Sequence, residues 1–127
     1  MKADLLLNKT FVSGPHAMTD IHNAGSIFGV VFNRILIFEE NNNITLKNEI
    51  EVNRGMADWE KFLKSDNWTG KYELASGNKH FKCTLIKNDS NKRMTMYIDI
   101  VEEGLIFGEF YYDNESNGHS FAFKQID

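Results

Sequence analysis

Residues 44–52 read ITLKNEIEV, and their alternation decides the fold. Ile44, Leu46, Ile50 and Val52 fall on one side of an extended chain and Thr45, Lys47, Glu49 and Glu51 on the other, the period-two pattern of a half-buried strand. A helix would scatter the same residues around its circumference. The preceding segment, GVVFNRILIFEE at 29–40, is almost continuously apolar and rich in branched and aromatic side chains. Asn41, Asn42 and Asn43 stand between the two segments and supply the chemistry of a hairpin turn.

Downstream the period changes once. In GMADWEKFLKSDN, 55–67, Met56, Trp59, Phe62 and Leu63 recur at helical spacing, which predicts one short amphipathic helix closing an end of the sheet. Five strand-like segments follow: WTGKYELAS, KHFKCTLIK, RMTMYIDIVEE, GLIFGEFYYDN and HSFAFKQI. Asn, Gly, Ser and Asp clusters punctuate them at turn positions. With a first strand around Asn8 to Gly14, the expectation is an all-β fold with one short helix. Its form is an antiparallel up-and-down meander of about eight strands. The last segment is apolar enough to pair with the first, and closure into a barrel removes both exposed edges. All 127 residues are expected to form one domain, 1–127.

Composition narrows the chemistry. Hydrophobic residues make up 42% and aromatics 13%, enough to build a core without disulfide or metal staples. The net charge of -4 is spread without blocks of like sign, so nothing resembles a phosphate-binding stripe and nucleic acid is not an expected partner. Cys83 is the sole cysteine, mid-strand in HFKCTLI, and is expected to be a core residue and not a nucleophile. A lone cysteine suggests a reducing compartment. The start MKADLLLNKT holds too short an apolar run for a signal-peptide core or a membrane span, so the expected location is cytoplasmic, away from membranes. Five Asn-x-Ser/Thr triplets, at Asn8, Asn43, Asn67, Asn88 and Asn114, are what an Asn-rich chain produces by chance. No glycine-rich phosphate loop follows a strand and no nucleophile elbow is present.

The order of parts resembles the small lipocalin-like barrels of the calycin group. The resemblance rests on a first strand, a long connection and a meander of short strands. It continues with NWTGKYELASGNKHFKCTLI, two longer hairpins and a terminal strand ending in FAFKQI, so it spans nearly the whole chain. The Gly-x-Trp of that group's first strand is absent, the corresponding region reading KTFVSG. The resemblance implies a barrel of a kind that carries small apolar molecules, binds haem, isomerises substrates or inhibits other proteins. Fold alone chooses none of these.

The stretch SGPHAMTDIHNAGS, 13–26, contains the chain's one proline and His16, Asp20 and His22. Histidines six apart match no zinc spacing, and no metal or cofactor is expected. One reading is a plain exposed connection, in which Gly14-Pro15 ends the first strand and Thr19 or Asp20 caps a single helical turn. A connection of a dozen residues is long for a hairpin and suggests a lid at the barrel mouth, with Met18 and Ile21 folded inward and His16 and His22 offering hydrogen bonds. Polar residues within apolar rows mark candidate interior positions, Arg34, Asn48, Tyr97 with Asp99, and Glu109 with Tyr111, the alternative being that these rows face water, the commoner situation for Asp, Glu and Arg. An inward Arg34 would need a carboxylate such as Glu109 or Asp99, or an anionic ligand. Tyr72 would join Phe28, Phe32, Phe38, Phe107, Phe110, Phe121 and Phe123 as aromatic lining.

The expected function is therefore non-catalytic binding of a small apolar or amphiphilic molecule under the 14–26 loop. The alternative is an inhibitor or immunity-type module with a filled barrel and a protein partner. A barrel isomerase using Glu109, Asp99 or a loop histidine is the third possibility.

Overall fold

The computed structural model describes residues 6–20, 28–74, 80–113 and 118–126. Its strands are β1 (Thr10–Asp20), β2 (Phe28–Phe38), β3 (Asn43–Arg54), β4 (Trp68–Leu74), β5 (Phe81–Lys87), β6 (Arg93–Glu102), β7 (Leu105–Tyr112) and β8 (His119–Gln125). One helix, α1 (Ala57–Ser65), lies between β3 and β4. Each strand pairs antiparallel with the next and β8 returns to β1, closing the barrel.

The β2–β3 connection folds as its asparagines suggest. Asn41 and Asn42 both adopt φ of 61°, the left-handed region that asparagine tolerates better than other side chains with a Cβ. Glu39 N donates to Asn43 O at 2.8 Å and ties the turn. We call this end of the barrel lower and the end carrying α1 upper.

Strand parity fixes what faces inward. Even-numbered residues point into the barrel on β2 from Val30 to Phe38, on β3 from Ile44 to Ile50, on β4 from Trp68 to Tyr72, on β6 from Met94 to Ile98 and on β7 from Ile106 to Phe110, as do the odd-numbered Phe81, Cys83 and Leu85 of β5. The register shift after Val31 leaves Val52 exposed. The lower end is solid. Phe11, Phe38, Tyr72 and Phe81 pack edge to face in a chain, with centroids 5.2 to 6.1 Å apart, and fully buried Leu6 lies with them. Such ring pairs add about 0.5 to 1.5 kcal/mol each beyond burial. Cys83, Met94, Met96, Ile98, Phe110 and Phe123 belong to the same buried cluster. At Gly70, β4 approaches β5 so closely that a Cβ would lie 1.8 Å from Thr84 O.

The first strand departs from expectation. β1 does not stop at Pro15 but runs to Asp20, with Thr19 opposite Gly29 and Asp20 opposite Phe28, so no helical turn forms there. A register shift between Ser13 and His16 absorbs the proline in a bulge. Pro15 is tolerated because β1 pairs with β8 only at Phe11 and Val12, leaving β1 an edge beyond that point. The expected lid is thus barrel wall as far as residue 20. Ile21 and His22 lie outside the described residues.

Pairing also lapses between β3 and β4, where the ladder covers only Asn43–Leu46 against Trp68–Lys71. Helix α1 packs against β3 beyond that ladder and covers the gap. Asp58 and Glu60 in its first turn and Lys64 in its last suit the helix dipole.

Candidate functional site

The upper end gathers polar groups on the inner wall. Ser13, Arg34 and Asn48 are register partners, one each on β1, β2 and β3, so they stand side by side in a single cross-strand row. Ser13 and Arg34 are buried and Asn48 is half-buried. The guanidinium of Arg34 lies over the rings of Phe110, at 5.0 Å, and Phe121, at 5.3 Å. Its side chain is only 9% exposed, and its carboxylate partner is Asp66, with Nη2 and Oδ2 3.8 Å apart. That separation is an ion pair too long for a hydrogen bond. Among the described residues the guanidinium makes no hydrogen bond at all, and its Nε is fully buried without a partner.

Asp66 immediately follows α1 and shares the parity of Trp68 and Tyr72, which turns it toward the barrel. Its Oδ1 accepts from Trp68 Nε1 at 2.9 Å and its Oδ2 from Asn48 Nδ2 at 3.2 Å. Asn48 also donates to Leu63 O at 3.2 Å, fastening the end of α1 to β3. The other end of that amide, Oδ1, is buried and unpartnered. Two orphaned polar atoms in one cluster cost about 1 to 3 kcal/mol each if they stay dry.

His16 completes the cluster. Its ring sits 5.5 Å from Phe32 and 5.3 Å from Phe121, and its Nε2 is hydrogen-bonded to Ser13 Oγ at 3.0 Å. Desolvation, and then the Arg34 charge, lower its pKa below the ordinary 6.5 and hold the imidazole neutral at neutral pH. Met18 is half-buried two residues further along the same strand.

The remaining candidates lie elsewhere. Tyr72 points inward but is packed in the solid lower core, where burial and then Cys83 push its phenol up. Asp99 and Glu109 are exposed on the outer wall, and Tyr97 and Tyr111 share that outer row half-buried, which corrects their expected interior placement. The reason is parity: Met94, Met96 and Ile98 on β6 and Ile106 and Phe110 on β7 claim the inner face, and every odd residue between them turns out. Tyr111 Oη donates to Glu109, which is the main cause of its raised pKa. Tyr97 packs edge-on to Tyr111 and His80. Phe107, expected in the lining, is 49% exposed on the same outer row. The carboxylate that meets Arg34 is therefore Asp66, not Glu109 or Asp99.

Asp66 was missed because the Ser65-Asp66-Asn67 run looks like a polar helix end. Its even spacing to Trp68 and Tyr72 was the available signal. Among the described residues no three His, Cys, Asp or Glu side chains gather where a metal could sit, and no helix is long and apolar enough to cross a membrane.

These features define an eight-stranded antiparallel closed barrel, solid at one end and bearing a buried arginine cluster at the other. No family model, no curated protein and no solved structure matches the chain.

Proposed function

We propose that the protein is a non-catalytic, lipocalin-like binding protein whose upper mouth receives a small amphiphilic molecule with an anionic head. The observation that carries this is the Arg34 guanidinium, nine-tenths buried and free of hydrogen bonds among the described residues. A carboxylate or similar head would satisfy donors that Asp66 reaches only at 3.8 Å. The half-buried rings of Phe32 and Phe121, with Met18, offer an apolar surface beside it. The solid lower end confines such a ligand to the mouth.

Calorimetric titration with decanoate and with decan-1-ol tests the proposal. The carboxylate should bind at least tenfold more tightly, and Arg34→Met should abolish that preference. Equal affinity, or a preference that survives the substitution, refutes it. A protein-binding module is the second reading, favoured by the packed lower core and by Phe107 and Val101, which are about half exposed on the outer wall. It gains if neither amphiphile binds.

A further inference from the structure

A second recess lies beside the mouth. It is a cleft of about 670 Å³, open on one side, between the end of α1 and the β5–β6 turn. That volume lies within the range of small-molecule sites. Three aromatic residues line it: Phe62 from α1, Trp68 from β4 and Tyr112 from β7, the last two with ring centroids 5.8 Å apart. Phe62 is 51% exposed, and Lys87 Nζ lies 5.9 Å from its ring.

The charges along the cleft are unevenly committed. Lys87, Lys92 and Arg93 supply cations from one side. Lys87 is paired with Asp89 at 3.6 Å, while Lys92 and Arg93 reach no carboxylate within ion-pair distance among the described residues. Of the two acids that border the space, Asp66 is engaged by Arg34, Asn48 and Trp68. Asp113 is exposed beside Arg93, its backbone N–H donating to the Arg93 carbonyl at 3.2 Å. The chain as a whole carries -4, and against that background Lys92 and Arg93, with no carboxylate partner among the described residues, lie on a cleft that also holds the exposed Phe62 ring.

From this geometry we infer that the cleft is a second binding site, distinct from the Arg34 mouth, for a small planar aromatic anion. Its ring lies against Phe62 and its anionic group faces Lys92 and Arg93. Cation–π and stacking contacts favour a flat ring there over an alkyl chain. The sulfonate, carboxylate or phosphate supplies an acceptor that the two cations do not find among the described residues.

The test uses a matched pair of probes, 8-anilino-1-naphthalenesulfonate and its uncharged counterpart N-phenyl-1-naphthylamine, titrated by fluorescence with saturating decanoate present. The sulfonate should bind one site at least fivefold more tightly than the neutral probe, and added salt should narrow that gap. Replacing both cations, Lys92→Gln with Arg93→Gln, should weaken the sulfonate about fivefold and leave the neutral probe unchanged. Phe62→Ser should weaken both. All three side chains are exposed, so the variants should fold, and amide shifts on binding should cluster at residues 62, 68, 92, 93 and 112. Equal binding of the two probes, indifference to the double substitution, displacement by decanoate, or shifts centred on His16 and Arg34 would each overturn the second site.

Discussion

Removing the countercharge of Arg34 should destabilise the protein, and removing Arg34 as well should restore it. At 3.8 Å and an effective dielectric of 20, the Arg34–Asp66 attraction is about 4 kcal/mol. Against it stands the desolvation of two ions, several kcal/mol each, with no hydrogen bond between them to offset it. The rings of Phe110 and Phe121 return about 0.5 to 2 kcal/mol apiece. The pair as a whole therefore contributes close to nothing, although either half alone is costly.

Asp66→Asn keeps an acceptor for Trp68 but turns an amide NH2 toward Asn48 and leaves the cation uncompensated, and should cost about 3 kcal/mol. Arg34→Met in that background replaces the cation with a flexible side chain that makes its own favourable contacts with aromatic rings. The double variant should return to within about 1 kcal/mol of the parent, a coupling of about 2 to 3 kcal/mol. Urea unfolding followed by far-ultraviolet dichroism reads this without depending on Trp68 emission, which Asp66 touches directly. With a slope of about 2 kcal/mol per M, the single variant should lose about 1.5 M in midpoint and the double variant should regain most of it. A double variant as unstable as Asp66→Asn would refute the account of a buried, under-solvated pair.

Three further outcomes follow from the packing. Gly70→Ala places a methyl against the Thr84 carbonyl, which is backbone and cannot swing aside, so it should cost about 3 kcal/mol or more by the same urea measurement; a neutral result would mean β4 and β5 are further apart than described. Because the His16 pKa is lowered in the folded state, the unfolded chain holds more protons below pH 6.5, and stability should fall as pH drops from there. His16→Gln should flatten the fall in melting temperature between pH 7 and 5, and an unchanged slope would assign it to other groups. Burial pushes the Cys83 thiol far above its ordinary range, so a disulfide reagent at pH 8 should label it only through unfolding, at a rate orders of magnitude below that in denaturant.

Strands and turns were legible because their signals are local. ITLKNEIEV alternates, the three asparagines before it mark the turn, and Trp59, Phe62 and Leu63 repeat at helical spacing, so each element announces itself within a dozen residues. Facing was less legible. In RMTMYIDIV and GLIFGEFYY both parities carry large apolar or aromatic side chains, so Tyr97 and Glu109 could be placed on either wall until the barrel set which row meets Phe110 and Phe123. Pro15 misled for a different reason. Proline ends a strand when both edges are paired, and nothing local reveals that β8 pairs with β1 only at Phe11 and Val12.

The position of the polar cluster follows from where the ladders stop. β8 leaves β1 after Val12, and β4 leaves β3 at Leu46, so both gaps open at the same height, just below the row Ser13, Arg34 and Asn48. Below that row every inner position is flanked by paired strands, and Phe11, Leu36, Leu46 and Tyr72 can bury apolar surface against one another. Above it the unpaired edges of β1 and β3 need partners other than a neighbouring strand. On β3 the helix supplies one, through Asn48 and the carbonyl of Leu63; on β1 the bulge at Pro15 and the Ser13–His16 hydrogen bond occupy the same role. A wall opened on two sides cannot be sealed by apolar packing alone, which is why a charge is tolerable at Arg34 and would not be two residues lower, at Leu36. Barrel closure and the candidate site are thus one structural fact: the mouth is polar because the sheet is incomplete there.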